Sequence, residues 1–354
     1  DTAVIALTGN TVSGARKMYQ EQGFDGYVEK PIQGKLLERE ILNVLPSEII
    51  EYRSEKEVPI KIGSKIQEIT RNKRKKICIT SDCACDLSQD LLEKYEIELM
   101  YLYVKTPYGR FADTREIDSD NLTQFVSEET SLATADTVNV EEYEEFFAET
   151  LTDAEQVIHF ALSSRCGGSY SVAVEAARGF DHVRVVDSGQ ISGAQGLIVL
   201  YAARLAMEGK KAEEILEEVE KIKPHICMKF IMPAAHIFSQ NGRARAVTAR
   251  ICQRFQLHPM GEMRQNKAVL TGLLGGTLDS ARVQGIHWGL RHKRKINKDI
   301  IYITHVGCSV KELEKIKREV LRCIPFARVE IHKASFTTAC NAGVATIGIA
   351  FYEK

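Results

Sequence analysis

The sequence predicts an α/β protein with largely parallel sheets, built from more than one compact unit. Short apolar strands alternate with amphipathic helices along most of the 354 residues, which is the pattern of βαβ construction. Glycine and hydroxyl residues cluster directly after several strands, at the carboxyl ends where α/β sites form. Residues 47–75 interrupt the alternation with no clean period and close on the basic run Arg71-Asn72-Lys73-Arg74-Lys75-Lys76.

Residues 3–46 read as strand, helix, strand, helix: Val4–Thr8, Gly14–Gln22, Tyr27-Val28 and Gly34–Leu45. In the last helix Leu37, Ile41, Val44 and Leu45 share one apolar face. Thr8 and Lys30-Pro31 follow the two strands. The chain opens at Asp1 and enters the first strand at once, so its natural start is expected upstream. Residues 49–75 are expected to be a linker, since a basic run without interleaved aromatics on a protein of net charge -1 reads as a solvated segment and not as a nucleic-acid patch.

Beyond the linker, strands are expected at Ile77–Thr80, Val157–Leu162, Val183–Val186, Met228–Met232, Ile300–Thr304, Val329–Ile331 and Thr346–Tyr352. Ile215, Val219 and Ile222 mark one amphipathic helix, and Leu313, Ile316 and Val320 another. A first lobe is placed at residues 76–225 and a second at 226–354. The string Ile226, Met228, Phe230, Ile231 and Met232, with Val283, Ile286 and Trp288, fits either an apolar tunnel or ordinary core.

Nine scattered cysteines lack paired zinc-finger spacing and are simplest as free thiols in a reducing compartment. No apolar run of about 18 residues could span a bilayer, and no signal peptide is expected. The protein reads as cytoplasmic, with no metal set and no cofactor. No GxxxxGK[ST] loop occurs, and Gly272-Leu273-Leu274-Gly275-Gly276 lacks the lysine and hydroxyl of a phosphate cradle.

Three strand ends carry groups suited to an anion: Ser81-Asp82-Cys83-Ala84-Cys85-Asp86-Leu87, Ser163-Ser164-Arg165-Cys166-Gly167-Gly168-Ser169-Tyr170, and Asp187-Ser188-Gly189. Taken singly, each could equally be a helix cap. In order, with Phe238-Ser239-Gln240-Asn241-Gly242-Arg243 and the C-terminal strand GVATIGIAFY, they resemble the DegV family of bacterial lipid-binding proteins over about 275 residues. That resemblance implies a two-lobed fold that encloses a fatty-acyl chain in the C-terminal lobe and holds its carboxylate near the lobe junction. It also implies a dihydroxyacetone-kinase-like fatty acid kinase as partner, the chain itself being a carrier without catalytic residues.

Carried over by position, the ligand-binding residues would be Thr134, Asp136, Ser163, Ser164, Gly167, Gly168, Ser169, Arg243 and Asn341. Three depart from the family pattern: Asp136 and Gly167 stand where serines are usual, and Asn341 where histidine is usual, so a weakened carboxylate clamp is expected. The stretch IALTGN…GFDGYVEKPI resembles the C-terminal half of a flavodoxin-like response-regulator receiver domain, here residues 1–48. In that resemblance Thr8 is the switch hydroxyl, Lys30 the phosphoryl-contacting cation, and a sensor histidine kinase acts through the upstream part in a phosphorelay. The alternatives are a phosphoryl- or acyl-transfer enzyme and a protein-partner-binding output domain without lipid.

Overall fold

The computed structural model describes residues 4–8, 22–29, 74–106, 109–120, 133–136, 138–233, 254–292 and 294–354, together with Tyr19, Ile41 and Cys252. The chain forms two units, residues 1–72 and 73–354.

In the first unit β1 (Ile5–Thr8) pairs in parallel with β2 (Gly26–Glu29). Asp25 accepts the Val4 N–H at 2.7 Å, which fixes the entry to β1. The helices expected at Gly14–Gln22 and Gly34–Leu45 and the Lys30-Pro31 turn lie outside the described residues, Tyr19 and Ile41 excepted.

The second unit opens with β3 (Lys75–Asp82), whose last five residues are all buried, as in a parallel strand covered on both faces. A 3-10 turn over Cys83–Cys85 leads to α1 (Gln89–Lys94) and β4 (Glu98–Met100). A small antiparallel sheet follows from β5 (Tyr103–Thr106), β6 (Gly109–Ala112) and β7 (Thr134–Asp136). Then come α2 (Val140–Asp153), β8 (Ala154–Ala161), α3 (Ser169–Ala177) and β9 (Val183–Asp187). Asn139 and Glu142 form a capping box at the start of α2, satisfying two backbone donors that a helix leaves open. The main sheet of this lobe is parallel throughout, in the order β4-β3-β8-β9. Its topological switch point therefore lies between the carboxyl ends of β3 and β8, where open α/β sheets bind ligands.

Helix α4 (Ser192–Met207) is buried nearly all round, unlike the amphipathic α5 (Ala212–Ile222) that follows. A helix apolar on every side belongs inside a core. Gly193 and Gly196 explain how it fits there. A Cβ at Gly193 would stand 2.8 Å from the Thr304 hydroxyl in the second lobe, and one at Gly196 would stand 2.7 Å from the Cys85 carbonyl in the first. Both lobes pack on this helix, and Ile158, Phe160, Leu197, Ile198, Met228 and Tyr302 belong to a single apolar cluster.

The second lobe consists of β10 (Ile226–Ile231), β11 (Leu257–Arg264), β12 (Lys267–Gly275), α6 (Leu278–Gly289), β13 (Ile296–His305), α7 (Val310–Cys323), β14 (Arg328–Lys333), α8 (Phe336–Ala342) and β15 (Ile347–Glu353). The sheet order is β12-β11-β10-β15-β13-β14, and only β13 and β14 run parallel. The expectation of largely parallel sheets holds for the first lobe and fails here. Two residues, Gln265 and Asn266, join β11 to β12, both with positive φ (48° and 63°). So short a turn permits only an antiparallel pair, and positive φ supplies the twist such hairpins need. β15 then inserts antiparallel between β10 and β13. The seven strands and two helices expected beyond the linker are all present.

Candidate functional site

Beside the shared packing on α4, two sets of polar contacts among the described residues join the lobes near the switch point. At the first, the β11–β12 turn sits on the loop after β8: the Ser163 hydroxyl donates to the Asn266 carbonyl at 2.6 Å, and Arg165 Nη1 donates to the Gln265 carbonyl at 3.1 Å. Gly189, at φ 63°, makes room, since a Cβ there would lie 2.6 Å from Asn266 Oδ1. At the second, carboxylates of the first lobe grip the chain entering α8. Asp86 accepts the Ser335 N–H at 2.8 Å and the Ser192 hydroxyl at 2.6 Å, while Asp113 accepts the Phe336 and Thr337 N–H groups at 2.7 Å each. Lys333 adds ion pairs to Asp118 and Asp120. Burial pushes the Asp86 carboxyl up to about 7 against the bonds from Ser192 and Ser335, and raises that of Asp113 as well.

A cavity of about 570 Å³ borders both junctions, a size usual for small-molecule sites. Its walls come from the carboxyl ends of β3, β8 and β9 (Ala84, Leu162, Ile191) and from the facing side of the six-stranded sheet. Met228 and Phe230 on β10 and Met232 just past its end line it, whereas Ile231 packs with Ala281 and Ile286 on the other face. That is the period of two expected of a strand. Of the apolar string noted in the sequence, these three residues alone line the cavity. Trp288 lies behind the sheet, with Lys229 Nζ 4.7 Å from its ring centroid.

Thr304 stands beside Gly348, which also pairs with Phe230, so the three form one row across the sheet. Thr304 lines the cavity, and its hydroxyl is buried beside Gly193 with no hydrogen-bond partner. A hydroxyl so placed carries a desolvation cost that a polar ligand atom or a bound water would remove. His305, also in the wall, has its pKa lowered by burial, which favours the neutral ring.

Beneath the β8 loop lies a closed polar network. Asp82, fully buried, accepts the Leu162 N–H at 2.7 Å and the hydroxyls of Ser169 and Tyr143, and contacts His159 Nε2 at 3.2 Å. His159 Nδ1 meets the Thr80 hydroxyl at 2.9 Å. Burial alone would raise the Asp82 carboxyl, but bonding and charge from His159, with Ser169 and Tyr143, hold it below its ordinary value. The network ties residue 162 to residue 169 and so fixes both ends of the loop.

Of the carried-over ligand residues that are described, only Asn341 lines the cavity, its amide donating to the Thr337 carbonyl at 3.0 Å. Ser163 is engaged by the hairpin turn and Ser169 by Asp82. The Ser164 N–H donates to Asp187 at 3.1 Å. Gly167 and Gly168 are exposed on the loop before α3, and Thr134 is exposed on β7. Asp136 pairs with Arg110 at 3.0 Å, in a cluster with Glu142 and the Tyr103 ring, and is not part of the wall. Thr8 ends β1 in the other unit; Lys30 and Arg243 lie outside the described residues. Sequence reasoning missed Arg165, Cys166, Ser192, Lys267, Thr304 and Thr337 as wall residues. Arg165 and Cys166 lay inside a motif it had marked; Lys267 required recognising the hairpin.

Among the described residues no helix is long and apolar enough to cross a membrane, and no His, Cys, Asp and Glu side chains gather as a metal set. Similar solved structures include a Thermus thermophilus protein described by "Fatty Acid Binding of a DegV family Protein" (TM-score 0.69, 23% identity, 79% of this chain and 100% of that one). Another is "DegV, a fatty acid binding protein from Bacillus subtilis" (TM-score 0.67, 21% identity, 79% and 99%). A Caldanaerobacter subterraneus DegV domain-containing protein is 25% identical over 291 residues, covering 79% of this chain and 99% of its own. Residues 76–354 match the family described as "Uncharacterised protein, DegV family". With the two-lobed fold and the ordered loop motifs in agreement, the chain belongs to the DegV family.

Proposed function

We propose that residues 76–354 bind a long-chain fatty acid or a related acyl lipid in the cavity at the lobe junction, as a carrier and not as an enzyme. The observation that carries this reading is the cavity itself: Met228, Phe230, Met232, Val269 and Leu270 offer an apolar wall, and an unpartnered Thr304 hydroxyl offers a polar contact. An alkyl chain gains about 0.8 kcal/mol per buried methylene, so such a wall favours an acyl chain over a polar metabolite. The fatty acid binding stated for the Thermus and Bacillus relatives supports the same ligand class.

Two finer parts of the proposal rest on resemblance: presentation of the bound acid to a dihydroxyacetone-kinase-like fatty acid kinase, and coupling to a sensor histidine kinase through a receiver-like segment at residues 1–48. The parallel pairing of β1 and β2 is of the kind a flavodoxin-like segment contains. Mass spectrometry of lipid extracted from the purified protein tests the main reading, followed by titration of the delipidated protein with an isotope-labelled fatty acid. Stoichiometric, saturable acyl lipid is expected. Absence of both co-purified lipid and saturable uptake would refute it.

A further inference from the structure

We infer that the anionic end of the ligand is held by Arg165 and Lys267, one cation from each lobe, and that this pair makes the cavity select acids over neutral acyl compounds. The inference rests on the acyl-lipid reading above and specifies its headgroup.

The cavity wall contains no Asp or Glu, and its formal charges are these two. Arg165 rises from the loop after β8, where its bond to the Gln265 carbonyl steers the guanidinium toward the hairpin turn and leaves its other donors available. Lys267 is the first residue past that turn. Neither makes an ion pair with a described carboxylate. Three cations that bridge elements elsewhere in this unit are paired: Arg110 with Asp136 and Glu142, Arg282 with Glu312, and Lys333 with Asp118 and Asp120. Two unneutralised cations at one apolar cavity make a potential that attracts an anion and repels nothing neutral.

A second, independent observation lies in the same wall: Thr304 is 3% exposed, and its buried hydroxyl has no hydrogen-bond partner. The cations also answer the missing hydroxyl at position 167 and the uncharged amide at Asn341, because a carboxylate held by charge-assisted bonds needs neither. Ser163 and Asp82 act behind them as positioning residues: the first clamps the hairpin turn that carries Lys267, and the second anchors the loop that carries Arg165. Both cations are exposed residues, so their pull on the ligand falls as salt rises.

The test uses the full chain, delipidated, with oleic acid and oleyl alcohol as probes of equal chain length. Wild type is expected to prefer the acid, with a preference that shrinks as salt is raised. In Arg165→Gln with Lys267→Gln, acid affinity should drop roughly tenfold to a hundredfold, alcohol affinity should stay put, and the salt dependence should vanish. The exchange Arg165→Lys with Lys267→Arg keeps both charges and should keep the preference, which separates charge from packing if the neutral variant folds poorly. The inference is overturned if wild type binds acid and alcohol alike, or if the neutral variant retains the wild-type acid-to-alcohol ratio. Failure of wild type to bind either probe would instead refute the acyl-lipid reading on which the inference stands.

Discussion

Asp86→Asn should change how stability depends on pH while leaving the fold intact. Asp86 follows the 3-10 turn with φ 52°, a conformation that asparagine accepts readily. Asparagine can still receive the Ser335 N–H, and its amide can donate to the Ser192 hydroxyl. In the wild type, burial lifts the carboxyl from 3.8 to about 7. A folded-state pKa above the unfolded one gives stability that is complete below the unfolded value and is lost as pH rises through the folded value. Between pH 5 and pH 8 about two units of that titration are traversed, at 1.36 kcal/mol per unit, so Asp86 withdraws about 3 kcal/mol. His332 slopes the other way. Burial lowers its pKa from 6.5 to about 4, so its contribution is full above 6.5 and is lost as pH falls toward 4. The wild-type profile is therefore flattened by opposition, and the variant alone should lose stability steadily on acidification. Urea unfolding of both proteins at pH 5 and pH 8, at equal ionic strength, isolates the effect, since the difference between them cancels His332. That difference should move by about 3 kcal/mol in favour of the variant on going to pH 8. A difference that stays constant would show that Asp86 does not titrate in this window.

Thr304→Val, nearly isosteric, should raise the melting temperature of the lipid-free protein, because an unpartnered buried hydroxyl costs about 1–3 kcal/mol; a lower melting temperature would mean that the hydroxyl is already satisfied. Cys166 is the sole exposed cysteine of the nine and lines the cavity, so maleimide should label one thiol quickly in the lipid-free protein and more slowly after acyl ligand is added. Equal rates would place the ligand elsewhere. Asp136→Ser should leave fatty-acid affinity unchanged and cost at most about 1 kcal/mol of stability, the range of exposed ion pairs; tighter binding on calorimetric titration would show that Asp136 repels the headgroup after all.

The parallel half of the fold was legible because its strands are continuous apolar runs ending in glycine and hydroxyl clusters, and Ala161-Leu162 before Ser163 is typical. The antiparallel half was harder to read. Leu257–Arg264 and Lys267–Gly275 mix Pro, Gly and charge and present much of one strand to solvent, so their alternation is weak and the turn between them is not the usual Asn-Gly. The site was legible as a place and not as a set of atoms. Spacing marks which loops meet at the switch point, but whether a hydroxyl is left without a partner, as for Thr304, or meets a buried carboxylate, as for Ser169, depends on what lies below it in the folded state. Asp136 illustrates the same limit: its partner Arg110 is 26 residues away in sequence and is brought to it only by the pairing of β5 with β6 and β7.

Because α4 is wedged between the two lobes, with Gly193 facing one and Gly196 the other, neither lobe is an exchangeable module. A cut at residue 225 would leave the helix with the first lobe and strip the second of the surface that covers Tyr302, Met228 and Ala350. Grafting the second lobe of a relative onto this first lobe would require that relative's α4 face to match within a methyl group at position 193. Recombination between family members is therefore expected to succeed in the hairpins and surface helices and to fail across this helix, so that ligand preference diverges by substitution around a fixed centre and not by shuffling of halves.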